Sequence, residues 1–170
     1  MEEGAPGWGV GPRIKALQVC AALNAAGAKY LVIGGVACVL HGYARATTDV
    51  DILIERTREN AERVLAGLST IGYGFARELV PEEILERPIF VIGDDPAVDI
   101  FLVAWSVKYD QAVKQSSVVH VDGVPVPLIG LDDLIETKRT GRPLDAADIE
   151  ALEQIKRLRG EGSGRPRPAE

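Results

Sequence analysis

Apolar residues recur at helical spacing over residues 14–26, and the run stops at Gly27, a residue that readily takes the left-handed conformation of a helix C-cap. The period then changes. Residues 30–33 (YLVI) read as a short strand closed by Gly34-Gly35, and residues 36–41 return to a brief helical stretch before Gly42. Residues 49–54 (DVDILI) predict a second strand. Thr57 then offers an N-cap for a helix through about Ile71, with Ala61, Val64, Leu65 and Leu68 on its apolar side. Residues 88–93 and 97–104 are β-like runs joined by Asp94-Asp95-Pro96, which predicts a hairpin. Residues 118–121 and 124–126 flank Asp122-Gly123, the dipeptide suited to a two-residue type I′ turn. Residues 131–139 and 146–158 close the chain as helices, the second capped by Asp145 with Asp148 in its first turn, where carboxylates favour the dipole. The pattern predicts a mixed α+β fold, a small mixed sheet flanked by helices with further helices at the C-terminal end.

Length and composition narrow this picture. A chain of 170 residues with 46% hydrophobic and 26% charged side chains fits one compact domain rather than two. Residues 13–159 are expected to form it. Residues 1–12, rich in Gly and Pro, and residues 160–170 (GEGSGRPRPAE) are expected to lie outside as loose tails, because they bury too little apolar surface to offset their ordering entropy. The balance of 19 basic against 25 acidic side chains, −6, argues against a surface that grips nucleic acid throughout, though not against a local basic groove. Cys20 and Cys38 sit in apolar runs and read as core thiols. No run reaches the ~18 apolar residues of a bilayer span, and the start has no signal-peptide layout. No membrane partner is expected, and a cytoplasmic location is.

Three carboxylates stand out. Residues two apart on a strand share a face, so Asp49 and Asp51 project side by side from an otherwise apolar run. Asp99 lies in a second apolar run (AVDIFLV) that provides it with no local partner. If the two strands are neighbours, the three converge within about 5 Å, where each like-charge pair costs about 3 kcal/mol at an effective dielectric near 20. Two remedies exist: a raised pKa, or a hard divalent cation with oxygen ligands that also holds substrate phosphates. Gly34 and Gly35 fit the second remedy, since a glycine turn before a helix N-terminus leaves backbone N–H groups open to phosphate oxygens.

The string GG-x-A-x3-HG-x2-R-x-TxDxD, with the later hydrophobic–Asp–hydrophobic strand, resembles the DNA polymerase β-type nucleotidyltransferase superfamily. It is most similar to small prokaryotic members, the minimal and the abortive-infection or toxin–antitoxin nucleotidyltransferases. Leu134-Ile135-Glu136-Thr137-Lys138, Arg142-Pro143-Leu144-Asp145 and Asp148-Ile149-Glu150-Ala151-Leu152 resemble the terminal Lys…Arg…Asp…Asp segment of that group. The resemblance implies a nucleotidyltransferase-like fold. It further implies Asp49, Asp51 and Asp99 as ligands of two Mg²⁺ ions, with Asp99 alternatively the base for the acceptor hydroxyl. Gly34 and Gly35 become the phosphate loop, and Arg45, Thr48 and Lys138 contacts to a bound NTP. The implied reaction transfers a nucleoside monophosphate to a hydroxyl of a small molecule, an RNA 3′ end such as tRNA, or a protein, and releases pyrophosphate. A non-catalytic module acting through a protein partner, such as an antitoxin, is the alternative.

Read from the residues alone, several positions keep a plainer role in view. Arg45 has a choice between steering phosphate and pairing with Asp49 or Asp51. Thr47 and Thr48 suit side-chain-to-backbone bonding in a turn. Lys138 reads as a solvated helix lysine without the resemblance and as a triphosphate contact with it. His41, ahead of Gly42, reads as a structural helix end, Asp145 and Asp148 as capping groups, and His120 has no ligand-like neighbour.

Overall fold

The computed structural model of the chain describes residues 8–93 and 95–163. Helix α1 (Val10–Ala25) leads into strand β1 (Tyr30–Ile33), helix α2 (Gly34–Leu40), strand β2 (Val50–Ile54) and helix α3 (Arg58–Leu68). After a 3₁₀ turn at Gly74–Glu78 come α4 (Pro81–Leu85), β3 (Ile89–Ile92) and β4 (Val98–Phe101). A small hairpin, β5 (Val103–Ala104) and β6 (Val107–Lys108), precedes α5 (Tyr109–Ala112). The hairpin β7 (Ser117–Val121) and β8 (Val124–Leu128) is followed by α6 (Leu131–Thr137) and α7 (Pro143–Ser163).

The main sheet has the order β3-β4-β2-β1-β8-β7, and β5-β6 stands apart as a second sheet. β1 and β2 are antiparallel, whereas β2 runs parallel to β4 and β1 parallel to β8. The mixed α+β architecture is therefore as the pattern predicts. β1 lies at the centre with all four residues buried, which explains its unbroken apolar run. α2 packs on β1 and β2, α6 touches α2, and α7 packs on α6. α1 and α3 pack on each other, and Gly67 lets them approach, since a Cβ there would press on the Ala22 carbonyl.

Several elements form where their chemistry pointed. Thr57 caps α3, its Oγ1 accepting from the Asn60 N–H at 3.1 Å. Asp122 and Gly123 both take positive φ, 50° and 83°, as a type I′ turn requires. β3 and β4 pair antiparallel, as the hairpin reading has it.

Other expectations need correcting. α1 begins at Val10 rather than at residue 14, and Trp8 is buried, so residues 8–12 belong to the fold; residues 1–7 lie outside the described residues. The indole of Trp8 supplies apolar area that outweighs its Gly and Pro neighbours. α7 continues to Ser163, past the expected boundary at 160, and residues 164–170 lie outside the described residues. Asp49 precedes β2 rather than opening it. Asp145 lies inside α7, whose first turn begins with Pro143, and so does not cap it.

Candidate active site

Strand pairing brings the acidic residues together. β2 and β4 are parallel neighbours in a register that sets Asp51 beside Asp99. The same cross-strand row continues on one side to Ile33 in β1 and on the other to Val91 in β3. Paired residues share a face, and along this row cover thins: Ile33 is buried, Asp51 and Asp99 are half-buried, and Val91 is exposed. Asp49, exposed just before β2, completes the trio.

The electrostatics follow from this placement. Burial first, and then the charge of Asp99, push the Asp51 carboxyl up to about 7, with Lys138 opposing the rise and Asp49 adding to it. Asp99 is also raised, by its own burial and by Asp49, while a hydrogen bond with Asp51 acts the other way. Asp51 Oδ1 is buried and has no hydrogen-bond donor among the described residues. Thr48 Oγ1 lies 3.4 Å from Asp49 Oδ1.

These residues fit a hard divalent cation in kind. Two adjacent carboxylates, one with a buried oxygen lacking a donor, form an acceptor-only pair whose repulsion a cation relieves. The spacing is looser. Among the described residues no three His, Cys, Asp or Glu groups stand close enough to hold a metal ion as they are oriented. Asp51 and Asp99 are the adjacent pair, and the exposed Asp49 side chain has to turn toward them to make a third ligand.

The paired glycines have a structural reason of their own. Gly34 follows the strand and opens α2 at φ +68°, and a Cβ there would overlap the Asp51 carboxylate. At Gly35 a Cβ would overlap the side chain of Thr47. The sharp entry into α2 therefore exists because two side chains from the 43–51 segment lie against bare backbone. Gly34 is buried and Gly35 half-exposed.

Basic residues expected at the site form a second cluster. Arg45 Nη1 donates to Asp148 Oδ2 at 2.7 Å, so it pairs with neither Asp49 nor Asp51, one of the two roles the residue-level reading left open. Lys138 Nζ lies 2.8 Å from the same oxygen and 3.7 Å from Asp145 Oδ1, which corrects the picture of a solvated lysine. Asp145 also accepts from Thr140 Oγ1 at 2.5 Å and Arg142 Nε at 2.8 Å. Burial raises the Asp145 pKa, but these hydrogen bonds and cations outweigh it and hold the carboxyl below the usual range. Asp148 is completely buried. Neither acid acts as the helix cap that the pattern suggested. Their burial was signalled by spacing: residues 145, 148, 152 and 155 share one stripe of α7, and Leu152 in it is core. His41 is structural as expected, its Nε2 2.7 Å from the Ile129 carbonyl and its pKa lowered by burial. Cys20 and Cys38 are buried free thiols.

Comparison with known proteins bears on the fold. No protein-family model and no curated protein matches the chain. Among solved structures, an antigenic nucleotidyltransferase-like protein from Paracoccidioides brasiliensis is similar at a TM-score of 0.57 and 15% identity, over 87% of this chain and 76% of that one. The fold is nucleotidyltransferase-like. A Thermotoga maritima protein provisionally described as a nucleotidyltransferase is similar at a TM-score of 0.53 and 15% identity, over 88% of this chain and 93% of that one. Among the described residues no helix is long and apolar enough to cross a membrane.

Proposed function

We propose that this nucleotidyltransferase-like domain is a metal-dependent transferase that moves a nucleoside monophosphate from an NTP onto a hydroxyl. One observation carries the reading: parallel pairing sets Asp51 beside Asp99, with Asp49 adding its charge and only Lys138, itself paired with Asp148, opposing it among the charges acting on Asp51. Asp51 and Asp99 would hold Mg²⁺, joined by Asp49, in the arrangement the two-ion resemblance implies. When bound, the metal supplies charge stabilisation to the phosphates and lowers the pKa of the acceptor hydroxyl.

The chain's own residues do the rest. Asp99, the less buried of the adjacent pair and nearer the open sheet edge, takes the proton of the acceptor hydroxyl as its oxygen bonds to the α-phosphorus. The α–β phosphoanhydride bond breaks, and its electron pair leaves with pyrophosphate. Lys138 feels and offsets the Asp51 charge although it is paired with Asp148, so its ammonium sits where a spare donor can meet a phosphate oxygen. Gly35 offers backbone approach, and Thr48 steadies Asp49. Arg45, held by Asp148, contributes positive potential rather than a direct contact.

Incubation with labelled NTPs, Mg²⁺ and extracts of RNA, metabolites and protein should give a labelled acceptor and pyrophosphate. Both should vanish in Asp49→Ala and Asp51→Ala. Absence of product with all four NTPs and folded protein contradicts the reading. The second reading, a non-catalytic module working through a protein partner such as an antitoxin, draws on Asp49 standing exposed outside a closed cradle. Calorimetry separates them: the enzyme binds Mg²⁺–NTP and loses it in Asp51→Asn, whereas the module binds no nucleotide and co-purifies with a partner.

A further inference from the structure

A cleft of about 530 Å³ opens at the opposite end of the strands that carry the carboxylates. Its floor is apolar: Ile54 closes β2, Leu102 follows β4, and both are buried. Because β2 and β4 are parallel, both present their C-terminal ends to this cleft and the segments holding Asp51 and Asp99 to the other pole. Ile54 lies three positions beyond Asp51, and Leu102 three beyond Asp99, about 10 Å along a strand. The cleft is thus a separate place in the molecule, of the size that small ligands occupy.

Its charged lining departs from the rest of the surface. In a chain carrying −6, basic side chains are mostly committed to carboxylates, yet Arg56, Arg87 and Lys108 all line this cleft and none forms an ion pair with a described residue. Two of them are held in place by uncharged groups. Arg56 Nη2 donates to the Leu85 carbonyl at 2.8 Å, and the Arg87 guanidinium lies 5.6 Å from the centroid of the Phe90 ring. Both keep donors and full charge available. Glu86 and Asp110 also line the cleft, so the balance there is 3 − 2 = +1. That excess suits a compact anion and disfavours a polyanionic strand.

We infer that this cleft binds a small organic anion, a phosphate ester or carboxylate on an apolar or planar body. The oxyanion meets Arg56, Arg87 and Lys108, and the body covers Ile54 and Leu102. The charge pattern supplies the first half of that specification and the buried floor the second. Neither depends on the carboxylate pole.

The test is an amide NMR titration of the full chain in EDTA, so that no divalent cation recruits anions to Asp51 and Asp99. Phenyl phosphate, benzoate and inorganic phosphate are the probes. Saturable shifts at Arg87, Leu102 and Lys108 are expected with phenyl phosphate, or with benzoate if the natural ligand is a carboxylate. Inorganic phosphate should bind at least tenfold more weakly. Lys108→Gln, which removes a side chain with no hydrogen bond to a described residue, should weaken binding about tenfold, the value of one charge-assisted hydrogen bond. Arg87→Gln should do the same, and Asp51→Asn should leave binding unchanged. No saturable shift, equal binding of inorganic phosphate, indifference to both cleft variants, or loss in Asp51→Asn would each overturn the inference. These outcomes stand apart from the transferase reading, which is overturned by an absence of Mg²⁺–NTP binding.

Discussion

Two groups of buried or half-buried charge lie within electrostatic reach of each other, and they are built on opposite principles. In the corner joining α6, α7 and the 43–48 loop, Asp145 and Asp148 are met by Lys138, Arg45 and Arg142. At the ends of β2 and β4, Asp49, Asp51 and Asp99 meet mainly one another. Burying charge without a partner opposes folding. The first group satisfies that rule for its charges, which are matched by cations, although Asp148 Oδ1 is buried without a hydrogen bond from a described residue. The second breaks it, and the half-exposed position of Asp51 and Asp99 leaves room for an outside cation to repair it. Compensation marks a structural joint, whereas the repulsion at the strand ends is what the proposed metal would relieve.

The sharpest break in the comparison is at Asp148. Asp148→Ala leaves Arg45 and Lys138 without their shared partner, and loss of one side of a buried pair costs about 3–5 kcal/mol. At the few degrees per kcal/mol of a domain this size, the melting midpoint should fall on the order of 10 °C. Calorimetric scanning checks it, and a fall of only a degree or two would mean the corner is not a joint.

Asp51 should behave in the opposite sense. Its folded pKa, about 7, lies above the ordinary value of 3.8, so between those pH values the metal-free folded protein holds a proton that the unfolded chain has released. Stability therefore falls as pH rises through that window and levels off above it. Asp51→Asn removes the titration, and denaturant unfolding in EDTA should show a flatter profile, with a relative gain at pH 8 on the order of 2 kcal/mol. Saturating Mg²⁺ should abolish the wild-type decline as well. A variant whose profile parallels wild type would show that Asp51 is not strained.

The smallest effect is expected at Gly34. Gly34→Ala places a Cβ at φ +68° and against the Asp51 carboxylate, and the left-handed conformation alone costs about 1–2 kcal/mol. Mg²⁺ affinity should fall along with stability, because Asp51 must move. A loss of stability with unchanged Mg²⁺ binding would separate the glycine from the site.

Much of this was legible in the chain. The carboxylates were visible because Asp51 and Asp99 each interrupt an apolar run and Asp49 lies two residues before Asp51, and hydrophobic alternation fixes which face a strand residue takes. The glycines were legible as a turn, but not the side chains against them, since Asp51 and Thr47 are brought there by tertiary packing. The partners of Arg45 and Lys138 were harder to foresee, because Asp148 is distant from Arg45 in the chain and ion pairs across such separations leave no local trace. The stripe of residues 145, 148, 152 and 155 was the missed signal: two carboxylates on the buried side of an amphipathic helix demand cations from elsewhere. The β5-β6 hairpin and α4 were missed because they are short, and α4 is fixed by Pro81 at its start and by the Glu83 carboxylate accepting from the Val80 N–H at 3.0 Å. Trp8 shows one aromatic side chain overriding a Gly/Pro-rich setting.

The central claim is that the β2–β4 carboxylates repel one another until a divalent cation joins them. Its most direct test is a carbon-13 NMR pH titration of the Asp51 and Asp99 carboxyl groups with and without Mg²⁺. Without the ion, Asp51 should titrate near 7, coupled to Asp99; with saturating Mg²⁺ both should stay ionised well into the acid range. Two independent titrations near 4 that Mg²⁺ leaves unmoved would contradict it.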